Sequence, residues 1–228
     1  MNDANIDFYR RIGADKLRQI AALQGLESAP EIPLLMPYLE NSSLVVEIGA
    51  GYGRIVKALR DNGYQGKIIA QERCPELSQV LRESCQDKAE IFEADIKREL
   101  YPRKPDVFLW MWSGILEFTP QEQQEVLIQL YKHLQPNGIL VVEIPREIRY
   151  VGKPVDERKI VVEADWGRLE AYLPSEEELI DYARKAGFAH KETIHYQTTT
   201  GLKRSMYIFG KSFCPEQEKG HKSENVVA

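Results

Sequence analysis

The chain has 228 residues, a formal net charge of -5, 43% hydrophobic and 29% charged residues. That length suits one sizeable α/β domain that buries its core without disulfides or structural metal, and the acidic balance argues against non-specific binding to nucleic acid or an anionic membrane. The three cysteines, Cys74, Cys85 and Cys214, lack metal-ligand spacing and read as reduced thiols of a cytoplasmic protein.

The opening MNDANIDFYRR carries charges and no apolar leader core, and no apolar run reaches bilayer length, so neither secretion nor a membrane is expected. Residues 1–30 pattern as a helical cap, with Ile12, Leu17, Ile20 and Leu23 as packing positions. From Pro30 strand-like and helix-like segments alternate, which predicts βαβ units around a mostly parallel sheet. The first strand, Leu44-Val45-Val46-Glu47-Ile48, is an almost unbroken apolar run followed by a glycine-rich turn and a helix that Gly63 can end. Lys67 to Gln71 makes the second strand, Pro75 suits the first turn of the next helix, and Ala89 to Glu93 is a third strand leading to Asp95. Asp106 to Trp112 reads as one long apolar strand, whose alternation puts Trp110 and Trp112 on the same face. Thr119-Pro120-Gln121-Glu122 is a capping box, and Pro136-Asn137-Gly138 turns into the fifth strand, Ile139 to Ile144. Ser175 and Glu178 form a second capping box, and two terminal strands around 193–199 and 205–210 read as an antiparallel hairpin. Residues 31–213 thus form one domain. Residues 146–172 interrupt its rhythm as an insertion, and the polar residues 214–228 are expected to be a disordered tail.

The chemistry concentrates in Glu47-Ile48-Gly49-Ala50-Gly51-Tyr52-Gly53, which leaves a buried strand and enters a helix. Glycines there supply positive φ and let backbone approach a ligand, beside the free N–H groups of a helix start. Glu47 inside the strand can accept from a ligand amine, where dinucleotide folds keep that position apolar. Glu72, at the end of the second strand, is placed to bind ribose hydroxyls. Asp95 ends the third strand within reach of an adenine amine, or caps the turn before Ile96.

The order VVEIGAGYGR, IIAQERCPEL, IFEADI, PDVFLWMWSGILEF and LQPNGILVVEIP, with the later LPSEEELIDYARKAGF, resembles the class I S-adenosylmethionine-dependent methyltransferase superfamily over roughly residues 40 to 210. The resemblance implies a doubly wound, mostly parallel seven-stranded sheet with an antiparallel last strand, helices on both faces, and S-adenosylmethionine across the carboxyl ends of the first strands. It implies Glu47, Gly49, Ala50, Gly51 and Gly53 around the methionine part, Glu72 at the ribose, Asp95 and Ile96 at the adenine, Trp110 beside the methionine, and Arg73 among the cofactor-binding residues. Trp110-Met111-Trp112-Ser113 stands where amide- and base-methylating members have an Asn-Pro-Pro-Tyr tetrad, which argues against those acceptors.

The implied activity is methyl transfer to an oxygen or nitrogen of a small molecule. Methylation of protein or RNA, a non-catalytic cofactor-binding protein and a dinucleotide oxidoreductase are the alternatives, and Glu47 argues against the last. No catalytic residue is dictated; Glu117, Glu143 and Tyr150 are candidate bases. The insertion follows the fifth strand, so it is expected, with Phe8 and Tyr9, to cover the site, with Tyr150 and Tyr172 as acceptor contacts and Trp112 as the floor. No metal is expected, and no oligomeric state follows.

Overall fold

The computed structural model describes residues 3–147, 153–156 and 158–211. Tyr150, Cys214 and the tail at 214–228 lie outside them. The central sheet has seven strands in the order β3 (Glu90–Glu93), β2 (Lys67–Glu72), β1 (Leu44–Ile48), β4 (Val107–Trp110), β5 (Ile139–Pro145), β10 (Lys203–Gly210), β9 (Ala189–Gln197). Neighbouring pairs from β3 to β5 are parallel, while β10 runs antiparallel to both β5 and β9. The terminal hairpin thus folds back so that its second strand enters between β5 and β9. β1 and β5 are buried throughout, as strands covered on both faces must be.

Alternation along these strands sorts the core into two layers. Val46, Phe108, Trp110 and Val142 face α5 (Pro120–His133) and α6 (Glu176–Ala186). Val45, Leu109 and Val141 face α2 (Ile32–Leu39) and α3 (Arg54–Asp61). Both capping boxes are formed: Thr119 with Glu122 opens α5, and Ser175 with Glu178 opens α6. Gly187, at φ 107°, closes α6 in the left-handed conformation.

A third apolar cluster stands over the carboxyl ends of the parallel strands. It joins Phe8, Ile12 and Leu17 of α1 (Asp3–Leu23) to Leu77 of α4 (Pro75–Cys85) and to the insertion. Gly13 (φ 68°, ψ 166°) breaks α1, because no residue with a side chain adopts that backbone readily. Leu23, expected to pack, is instead 77% exposed at the end of the helix. The insertion is a separate antiparallel sheet of β6 (Lys153–Pro154), β7 (Lys159–Ala164) and β8 (Gly167–Tyr172). No helix among the described residues is long and apolar enough to cross a membrane. None of the described His, Cys, Asp and Glu residues form a group that could hold a metal ion.

Candidate functional site

A cavity of about 370 Å³ opens at the carboxyl ends of β1, β2 and β4, between the glycine turn on one side and α1 with the insertion on the other. The turn has positive φ at Gly49 (68°), Gly51 (58°) and Gly53 (85°), but for different reasons. A Cβ on Gly49 or Gly51 would meet nothing within 4 Å, so backbone conformation alone demands glycine there, and bare peptide is left facing the cavity. A Cβ on Gly53 would stand 2.5 Å from Cys85 Sγ and 3.0 Å from Leu81 Cδ2. Gly53 therefore lets α3 pack against α4. It does not itself line the cavity, although Tyr52 and Arg54 on either side do.

Glu47 is 3% exposed and lines the cavity, and its Oε2 has no hydrogen-bond partner. Burial pushes its carboxyl up to about 8, with Arg54 pulling the other way. Glu72 is also buried, and both of its oxygens accept hydrogen bonds. Its Oε2 accepts from Gly51 N at 2.8 Å, and its Oε1 accepts from Arg73 N and Cys74 N, both at 2.8 Å. Burial raises the Glu72 carboxyl while these three N–H groups hold it back. One side chain thus ties the glycine turn to the β2–α4 connection, a structural duty invisible in its spacing. Ala50 belongs to the same turn: its N–H and that of Gly49 both donate to Gln71 O, at 3.1 and 2.8 Å.

Beyond Glu72, the Arg73 guanidinium pairs with Glu117 at 2.5 Å, and the Tyr9 hydroxyl shares the same carboxylate. Burial, then the Glu117 charge, pushes the Tyr9 phenol well up. Ala94 and Ile96 line the cavity, whereas Asp95 between them accepts from Lys97 N at 3.0 Å and does not. Asp95 thus caps its turn, one of the two roles its position allows.

Trp110 lines the cavity and meets Phe118 edge to face at 5.4 Å. The strand ends there. Trp112 (φ 46°) and Ser113 (φ 64°) are both left-handed, so the expected shared face of Trp110 and Trp112 does not exist. Two consecutive residues of this kind cost about 1–2 kcal/mol each, and several contacts hold them. Ser113 N donates to Glu143 O at 3.1 Å, and Trp112 Nε1 donates to Gln24 Oε1 at 2.9 Å. The Arg54 guanidinium lies 5.7 Å from the centre of the Trp112 ring. Trp112 still reaches the cavity, but from this turn.

Arg204 carries no signal of its own in the sequence, being one arginine at the start of an apolar strand. It ion-pairs with Glu143 in the core and donates through Nη2 to Ser113 Oγ at 2.6 Å. Tyr196 OH also donates to Glu143, at 2.7 Å. Burial alone would raise the Glu143 carboxyl, but Arg204 outweighs it and holds the group below its usual range. Glu143 is therefore a structural anion away from the cavity wall, which removes it as a candidate base, while Glu117 lines the cavity.

Val162, Leu169 and Ala171 of the insertion face the cavity. Tyr172 does not. Its ring lies under Lys159 Nζ at 5.6 Å, and its carbonyl accepts from Gln123 Nε2 at 2.8 Å. Leu169 and Ala171 take the inner face of β8, so alternation sends Tyr172 outward, and its reading as an acceptor contact is corrected. The expected contact at Tyr150 falls outside the described residues.

Residues 45–138 match a family model described as a methyltransferase domain. A trans-aconitate 2-methyltransferase of Azoarcus sp. (strain BH72) is 26% identical over 47% of this chain and 41% of its own length. An ornithine lipid N-methyltransferase of Singulisphaera acidiphila is 31% identical over 46% of this chain and 60% of its own. The chain thus spans about half the length of these two relatives. The S-adenosylmethionine-bound structure of an amino pentose methyltransferase from Micromonospora echinaspora superposes with a TM-score of 0.61 at 14% identity, covering 84% of this chain and 95% of that one.

Proposed function

We propose that the chain, whose residues 45–138 match a methyltransferase domain and whose fold is shared with S-adenosylmethionine-dependent methyltransferases, belongs to their class I superfamily and transfers the methyl group of S-adenosylmethionine to an oxygen or nitrogen of a small-molecule acceptor. The observation that carries this reading is Glu47. A carboxylate oxygen buried without a partner, beside two glycines that leave bare backbone, fits a ligand with an ammonium group that passes close over the turn. Gly49, Ala50 and Gly51 would hold the methionine part of the donor, Glu72 and Arg73 the ribose, and Ile96 the adenine. Trp110 would pack beside the methionine. The bound donor would supply an electrophilic methyl carbon.

The chain's own residues then have three tasks. The glycine turn and Glu72 fix the donor's position relative to the sheet. Trp112, set by its bond to Gln24, floors the space next to it. Phe8, Ile12, Val162 and Leu169 keep water from the reacting atoms and leave an acceptor aligned in line with the methyl. Glu117 is the wall carboxylate that could take a proton from the acceptor. The covering by α1 and the insertion favours a small molecule over a folded protein or RNA as acceptor.

Isothermal titration of the full chain with S-adenosylhomocysteine and with NAD tests this reading. Binding of S-adenosylhomocysteine in clear preference to NAD is expected, and NAD binding without a response to S-adenosylhomocysteine overturns it.

A further inference from the structure

We propose that the methyl acceptor is neutral and largely apolar, and that the site is built against anions. The inference rests on the methyltransferase reading and adds the substrate class. Two independent features of the cavity carry it: the chemistry of its cover and the balance of its charges.

The cover is apolar wherever it faces inward. Phe8, Ile12, Leu17 and Ile20 of α1 and Val162 and Leu169 of the insertion form that wall. Among the described residues neither α1 nor the insertion contributes a charged side chain to it, although both are rich in charge on their outer faces. Arg10 pairs with Glu76, Arg18 with Asp15, and Lys159 with Glu170, all outside the cavity. Tyr9, the one hydroxyl-bearing side chain that the described residues of the cover turn inward, is engaged with Glu117. The described residues of the cover therefore offer an acceptor surface to bury and no counter-charge to meet.

The charges come instead from the sheet side, and they are acid-rich. Glu47, Glu72 and Glu117 line the cavity with Arg54, Arg73 and Arg204. Arg54 and Arg204 already have buried partners behind the wall, Glu31 at 2.6 Å and Glu143. The tally is five carboxyl groups against three guanidinium groups. With the donor's ammonium group against it Glu47 is a carboxylate, and the set carries an excess of two negative charges. S-adenosylmethionine, with its sulfonium, ammonium and carboxylate, brings a net charge of about +1 and S-adenosylhomocysteine brings none, so the set stays net negative with either bound. An anionic acceptor would then add to that negative excess, because the two buried guanidinium nitrogens without a hydrogen-bond partner, Arg54 Nη2 and Arg73 Nη1, would serve the donor's own carboxylate. A neutral acceptor leaves the balance intact and gains from the apolar cover. An amine would enter deprotonated, which is also the form that can attack a methyl carbon.

The test uses the full chain saturated with S-adenosylhomocysteine and pairs of probes alike in shape but not in charge. 2-Naphthol is compared with 2-naphthoate, and 4-ethylphenol with 4-ethylbenzoate, by calorimetry near neutral pH. In at least one pair the neutral probe should bind about tenfold or more tightly than its anion. Leu169→Asp, and independently the milder Val162→Thr, should weaken the neutral probe while S-adenosylhomocysteine still binds. Equal or tighter binding of both anions overturns the proposal, and so does failure of both neutral probes to bind the loaded protein. Failure of S-adenosylhomocysteine itself to bind overturns the methyltransferase reading instead, so the two failures are distinguishable.

Discussion

Asn5 and Glu170 are joined as a strand is joined to its neighbour: Asn5 Nδ2 donates to Glu170 O at 3.1 Å, and Asn5 Oδ1 accepts from Glu170 N at 3.2 Å. A single amide side chain, 1% exposed, thus satisfies both backbone groups of a β8 residue 165 positions later. The contact makes α1 and the insertion one continuous wall over the cavity, reinforced by Phe8 and Trp166, edge to face at 6.4 Å.

Asn5→Ala should loosen that wall without unfolding the domain. It strands two backbone groups at a loss of about 1–3 kcal/mol. Amide hydrogen exchange at residues 167–172 should accelerate about tenfold or more, while exchange in β1 and β4 stays as in the wild type. Unchanged exchange at Glu170 would count against the coupling.

Glu47→Gln should flatten the dependence of stability on pH. The folded carboxyl titrates near 8 against an ordinary value of 4.5, so between those values the native state holds a proton that the unfolded chain has lost. The contribution of this group is therefore fully present below about 4.5 and is lost as the pH rises through 8. The loss approaches about 1.4 kcal/mol per pH unit inside the window. Glu72, Glu117 and Glu31 are raised as well, so the comparison is between variant and wild type rather than with a flat line. Urea unfolding at pH values inside and above the window measures it. Identical slopes for the two proteins would mean that Glu47 is ionised in the fold.

The glycines at 51 and 53 should separate binding from stability. Gly51→Ala places its methyl group in open space at a φ of 58°, costing about 1–2 kcal/mol of backbone strain. Its main effect should be on S-adenosylhomocysteine affinity, reduced about tenfold or more. Gly53→Ala drives a Cβ to 2.5 Å from Cys85 Sγ at a φ of 85°, so several kcal/mol of stability should go, on the order of an overpacked core. Adding Cys85→Ala should restore part of the loss. Thermal melts and titration calorimetry on the three variants check the pattern, and a Gly53→Ala protein as stable as wild type would contradict the packing argument.

Arg204→Met should be among the more destabilising single changes at this site. It leaves Glu143 buried with Tyr196 as its remaining side-chain donor and frees the strained Ser113, a loss of about 3–5 kcal/mol. Combining it with Glu143→Gln removes the stranded charge and should recover much of the stability. The coupling between the two changes, read from urea midpoints, should exceed about 1 kcal/mol. Additive effects would show that the pair is not a unit.

The glycine turn, both capping boxes and the terminal hairpin were all legible in the order of residues, because each is a local pattern with a local cause. Periodicity and spacing state where a strand stops, where a helix begins and which peptides need glycine. The sheet order, with β10 entering between β5 and β9, matched the architecture that the family resemblance implied. What remained hidden was every assignment that depends on a partner distant in the chain. Gly53 needs Cys85, Trp112 turns at a strand end secured by Glu143 and Gln24, and Arg204 acquires its role only when β10 lies against β5. The insertion states the reason most directly. Val162 pairs with Leu169 and Lys159 with Tyr172, and that register puts Leu169 and Ala171 inward and Tyr172 outward. A slip of one residue would exchange the two faces without changing a letter of the segment. Spacing settles that the strand exists, and tertiary packing decides which of its faces meets the acceptor.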